Sequence, residues 1–169
     1  MKVRDVMTKT VASCHRETNL AAAGALMWDT DCGVLPVVDE RRKVTGVLTD
    51  RDVCIALTTS DRRPSAMTVG EVSPQRALVC GQDNDIHEAL KIMQKNRIHR
   101  VPVVNKMGTL EGIVSMNDIV LRAEKATGRK HPGVSYDDVV LTLQVICAHT
   151  PTGKQAPASI GAGRAAGAA

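Results

Sequence analysis

Two short stretches of this chain carry residue types able to handle a sugar phosphate. One is Gly46-Val47-Leu48-Thr49-Asp50-Arg51-Asp52, and the other is Gly112-Ile113-Val114-Ser115-Met116-Asn117-Asp118. Each closes an apolar run with a hydroxyl residue and sets an aspartate three positions later, which is the signature of a helix N-terminus. That spacing brings a hydroxyl, a carboxylate and several unpaired backbone N–H groups to the positive end of a helix dipole. A phosphate suits the N–H groups, and the carboxylate can accept from two neighbouring sugar hydroxyls. The same residues also serve as plain capping boxes, so Thr49 with Asp52 and Ser115 with Asp118 carry both readings.

The elements that hold these corners come from an internal repeat. Leu35-Pro36-Val37-Val38-Asp39 recurs as Val101-Pro102-Val103-Val104-Asn105, 66 positions on. The same ungapped offset carries Val3 to Val69, Cys14 to Cys80, Met27 to Met93, Gly46 to Gly112 and Asp52 to Asp118. Each copy opens with a short turn (3–7; 69–73) and a brief strand (11–14; 77–80). A helix follows whose apolar residues, Leu20, Ala23 and Met27 or Ile86, Ala89, Leu90 and Met93, recur at helical spacing. Asn19 and Asp85 are placed to cap these helices, with Glu88 completing a box in the second. Two β-rich runs come next (33–39 and 43–48; 99–105 and 109–114), then the helix begun by Thr49 or Ser115. The fold class is therefore α/β (α+β), two tandem β-α-β-β-α repeats, each with one sheet face for helices to cover. Neither copy can bury much alone, so the two are expected to pack together.

The domain boundaries follow as 1–58 and 69–124 for the repeats, with 59–68 between them. A polar connection over 125–134 leads to a C-terminal helix over 135–149. Its capping box is Ser135-Tyr136-Asp137-Asp138 and its apolar stripe runs through Val139, Val140, Leu143, Ile146 and Cys147. Residues 150–169, rich in Gly, Ala and Pro, read as a flexible tail.

Composition removes several functions. With no Phe, one Trp and one Tyr, the core is aliphatic and no aromatic platform exists for single-stranded nucleic acid. The net charge of +4 is mild and its cations are scattered, which gives nucleic-acid binding no support. No apolar run reaches the length of a membrane span, and no signal segment leads the chain. Five cysteines without a C-x-x-C pair fit free thiols in a reducing cytoplasm, where they read as small buried hydrophobes. The five histidines show no ligand spacing, so no metal site is expected. Trp28 and Tyr136 read as partly buried packing or interface residues.

The Pro-Val-Val strand, followed at fixed distance by the Gly-apolar-apolar-Thr/Ser-x-x-Asp corner, resembles the CBS-domain family. Two tandem copies look like a Bateman module, in the layout of stand-alone bacterial two-CBS proteins of the hypoxic response type. The resemblance implies two clefts about a pseudo-twofold axis that bind adenosine compounds: AMP, ADP, ATP or S-adenosylmethionine. It assigns the ribose diol to Asp52 and Asp118, with Thr49 and Ser115 near ribose or phosphate. The opposite repeat is implied to add Leu78, Ile98 and His99 to the Asp52 cleft, and Ala12, Cys32 and Gly33 to the Asp118 cleft. His99-Arg100 resembles the phosphate-contacting pair of the gamma subunit of AMP-activated protein kinase, and Arg51 is a further phosphate candidate. Copy one has Gly33-Val34 in place of that pair, so unequal clefts are expected.

No nucleophile–base pair is recognisable, which points away from an enzyme. The expectation is a cytoplasmic regulatory module that needs no cofactor, binds an adenosine ligand, forms a homodimer and signals to an effector protein in trans. The alternative is a ligand-independent scaffold acting through the C-terminal helix.

Overall fold

The computed structural model describes residues 1–74, 76–125 and 133–148. Most of the expected connection 125–134, the last residue of the expected helix (His149) and the whole of 150–169 lie outside the described residues.

Copy one consists of α1 (Leu20–Asp29), β1 (Val34–Val38), β2 (Val44–Thr49) and α2 (Asp50–Thr59). A single turn, α3 (Val69–Val72), opens copy two. There follow β3 (Cys80–Gly81), α4 (Ile86–Asn96), β4 (Arg100–Val104), β5 (Leu110–Ser115) and α5 (Met116–Val120), then α6 (Tyr136–Cys147). In each copy the two long strands pair antiparallel, with the same irregularity at Val37/Val38 and Val103/Val104. The intervening turns are closed by one device used twice: Asp39 accepts from the N–H of Arg41 and Lys43, and Asn105 from those of Met107 and Thr109.

The leading strands are shorter than the apolar runs suggested. Copy one keeps only a parallel bridge between Cys14 and Val37, and copy two keeps the two residues of β3 beside Val103 and Val104. Pro36 and Pro102 have no N–H to offer an outer strand, so pairing starts only beyond them. Asn19 and Asp85 do cap α1 and α4, accepting from Ala22 N and His87 N. Glu88 closes no box there; it takes the amide of Asn84 instead.

The pseudo-twofold axis passes between Lys43 and Thr109, which bridge each other and are themselves 66 positions apart. Around it Val44 N donates to Gly108 O, and Leu110 N to Arg42 O; each bond is the other's mate under the repeat offset. The opening turns are exchanged in the same way. Val3 N and Arg4 N donate to Asn84 O and Gln82 O of copy two, while Val69 N and Gly70 N donate to Thr18 O and Arg16 O of copy one. Val3 and Val6 accordingly sit in the core of copy two, and Met67 and Val69 in that of copy one.

The helix α6 belongs to copy two as well, with Val139, Thr142 and Ile146 buried against it. The expectation that the five cysteines are buried fails at the surface. Only Cys14 and Cys80 are buried, in separate cores, where burial pushes their thiols up to about 11 and about 12. Cys32 is half-buried, and Cys54 and Cys147 are exposed. Trp28 is 87% exposed and Tyr136 55%, because α1 and α6 turn these residues away from the cores they serve.

Candidate functional site

The corner at the start of α2 forms as the spacing predicts. Asp52 N donates to Thr49 Oγ1 at 3.1 Å, while Thr49 N and Thr49 Oγ1 both donate to Asp52 Oδ2, at 3.0 and 2.7 Å. These bonds use one carboxylate oxygen. Among the described residues Oδ1 has no partner, and Asp52 lines a cleft of about 460 Å³ between the two copies.

The same corner corrects one expectation. The first N–H groups of α2 are not available to a phosphate. Asp50 N donates to Gly33 O, Arg51 N to Asp50 Oδ1, and Asp52 N to Thr49. An anion in this cleft meets side chains instead.

Those side chains come from both copies. Thr49 and Arg51 line the cleft beside Asp52, and Leu78, Ile98, His99 and Arg100 reach it from copy two. Gly33, expected at the other corner, lines this one instead, because its carbonyl caps α2; a Cβ there would meet Asp50 Oδ2 at 2.6 Å. The sequence reading missed Arg76 and Arg97. Arg76 precedes the first strand of copy two, and Arg97 ends α4 in the left-handed region at φ 52°. Its repeat mate Asp31 adopts the same turn at φ 48°. Val47 and Pro102 complete the apolar part of the wall.

The Asp118 corner has the same box: Ser115 N and Ser115 Oγ donate to Asp118 Oδ2 at 2.8 and 2.5 Å. Here, however, Oδ1 is also occupied, by the hydroxyl of Thr8 at 3.3 Å. The repeat mate of Thr8 is Pro74, which lines the Asp52 cleft and has no hydroxyl to give. Ala12 and Cys32 pack against the core of copy one, and Cys32 bonds to Val34 O and Thr30 Oγ1. The two corners differ, through a residue the sequence reading did not consider.

With this geometry, the family model described as "CBS domain" matches residues 3–59 and again 69–125. The chain belongs to the CBS-domain family. Hypoxic response protein 1 of Mycobacterium tuberculosis is 32% identical over 116 residues, covering 69% of this chain and 80% of that protein. The crystal structure of Hypoxic Response Protein I, solved with two coordinated zinc ions, superposes with a TM-score of 0.68 at 30% identity, over 73% of this chain and all of that one. The zinc ions are that protein's. Among the described residues here, no three His, Cys, Asp or Glu side chains gather in a way that could hold a metal. The CBS pair of MJ0100, solved with 5'-methylthioadenosine and S-adenosyl-L-methionine, superposes with a TM-score of 0.64 at 26% identity, over 72% of this chain and 94% of that one. CBS pairs are in general regulatory rather than catalytic modules. Inosine-5'-monophosphate dehydrogenase of Methanocaldococcus jannaschii shares 30% identity over only a quarter of its own length. No described helix of this CBS pair is long and apolar enough to cross a membrane.

Proposed function

We propose that this CBS pair binds an adenosine-containing ligand in the Asp52 cleft and works as a regulatory module. One observation carries the reading: among the described residues Asp52 keeps a carboxylate oxygen unpartnered beside an apolar-walled cleft, while its other oxygen is fixed by Thr49. A ribose diol donates two hydrogen bonds that such an oxygen can accept, and those bonds are strong because the acceptor is charged. Leu78, Ile98 and Val47 give the base aliphatic walls, as a chain almost without aromatics requires. Arg51, His99 and Arg100 are the phosphate contacts in this reading. The ligands of the MJ0100 pair support an adenosine compound.

A ligand touching both copies favours whichever arrangement of them fits it best. In our reading the module is a homodimer and a separate effector protein senses that shift. The exposed side of α1, with Trp28, is where we place the twofold contact.

Thermal denaturation with AMP, ADP, ATP and S-adenosylmethionine tests the ligand. At about 100 Kd a true ligand adds ~2.7 kcal/mol of apparent stability. Asp52→Ala removes that gain. Its own cost is under about 1 kcal/mol, the worth of an acid in a helix's first turn. No shift with any of the four compounds would leave the scaffold reading through α6.

A further inference from the structure

The nucleoside reading leaves open what hangs from the sugar, and the charge around the cleft bears on that. Arg51, Arg76, Arg97 and Arg100 line it with His99, against only two carboxylates, Asp50 and Asp52. Among the described residues Arg51, Arg76 and Arg100 make no ion pair and donate no side-chain hydrogen bond. Unpaired guanidinium groups around one concavity raise its potential and draw anions. The opening N–H groups of α2 do not add to this, since they are already bonded within the protein.

The repeat offers an internal control. The mates of Arg51, Arg76, Arg97, His99 and Arg100 are Asn117, Thr10, Asp31, Gly33 and Val34. No mate is a cation and one is an anion, and the Asp118 carboxylate beside them already holds Thr8. At these five positions the cations stand on the Asp52 side alone. Arg97 stands at a helix end whose left-handed backbone favours glycine or asparagine.

We propose that the Asp52 cleft selects phosphorylated adenosine, that affinity rises from adenosine through AMP to ADP and ATP, and that a chain holds one such nucleotide. This rests on the nucleoside reading above. Guanidinium groups match phosphate oxygens two at a time, so each phosphate added gains contacts that adenosine lacks. S-adenosylmethionine puts a sulfonium cation where these arginines repel it. The MJ0100 pair accepts that sulfonium; the lining here makes the opposite demand.

Isothermal titration of the full chain with adenosine, AMP, ADP, ATP and S-adenosylmethionine tests the proposal. The expected result is one ADP per chain, with ADP at least roughly tenfold tighter than adenosine or S-adenosylmethionine, since one charged hydrogen bond is worth about that factor. The Arg76→Ala/Arg100→Ala double variant narrows the ADP-to-adenosine ratio by roughly tenfold or more. Both arginines are exposed, so its melting curve without ligand checks that it folds. Adenosine or S-adenosylmethionine binding as tightly as ADP overturns the selection while leaving the nucleoside reading intact. An unchanged ratio in the double variant, or two ADP per chain, overturns it likewise. Binding of none of the five compounds sinks the nucleoside reading itself, and this proposal with it.

Discussion

A Cβ built on Gly112 would lie 2.5 Å from the carbonyl oxygen of Thr8, whereas one built on Gly24 meets nothing within 4 Å. Thr8 cannot yield easily, because its N–H and C=O are both paired to Ile113 across that contact. Gly112→Ala must therefore push Thr8 away from β5, at a cost of about 1–3 kcal/mol. Gly24 sits inside α1, where alanine is the better helix former, so Gly24→Ala stabilises by about 0.5–1 kcal/mol. Urea denaturation of both variants gives opposite shifts of the midpoint; shifts of one sign would show that the close approach at Gly112 is softer than its distance implies. Residue identity made the capping corners legible, because Thr49-x-x-Asp52 and Ser115-x-x-Asp118 are local patterns. What separates them was not legible. The partner of Asp118 is Thr8, 110 positions away, and only the folded chain shows that Pro74 leaves Asp52 open.

Among the elements, α6 shows how a local pattern can place a helix and still misdraw its face. The capping box at Ser135 and Asp138 forms, and Val139 and Ile146 are buried as the stripe predicts. Val140 and Cys147 are exposed, and the centre of the contact is Thr142. A threonine reads as polar in a periodicity argument. Here its hydroxyl donates to Asp138 O and accepts from the Gln94 side chain of α4, so it is buried at little cost. The N-terminal ends of α4 and α6 also meet through His87, which lies 2.6 Å from Asp85 and 3.4 Å from Asp138. The Ser135 hydroxyl, then its N–H and His87, hold the Asp138 carboxyl below the usual carboxylate range. The backbone N–H of His87, then its ring, does the same for Asp85. Both folded values are depressed, so the unfolded chain takes up protons first as pH falls. The stability these carboxylates supply is complete above the usual carboxylate value, near 4, and is lost as pH drops through their folded values. Amide hydrogen exchange in α6 should therefore quicken below about pH 4, relative to β4. Asp138→Asn should flatten that dependence; an unchanged profile would mean that apolar burial alone fixes the helix.

At the scale of the whole molecule, the exchanged opening turns make each copy's core depend on the other copy's first residues. The 66-residue offset revealed the duplication and the pairing of Pro-Val-Val strands. It gave no hint of the exchange, because an opening turn looks the same in sequence whether it folds back on its own copy or crosses over. The crossing is visible in burial: Val3 is fully buried among Ile86, Met93 and Val101 of copy two, and Met67 is 1% exposed among the buried residues of copy one. Val3→Ala removes two methyl-sized groups and leaves a cavity, costing about 2 kcal/mol. Met67→Ala costs about 2–5 kcal/mol on the same grounds. For Val3 the cost falls on the copy that is distant in sequence, and for Met67 on copy one rather than on the copy it leads into. Native-state hydrogen exchange should show Val3→Ala speeding α4 and β4 more than α1 and β1, with the reverse for Met67→Ala, because local opening follows the core that lost its contacts. Equal acceleration in both halves would mean that the copies open only together, as one cooperative unit. Acceleration confined to copy one in Val3→Ala would show that the opening turns do not cross.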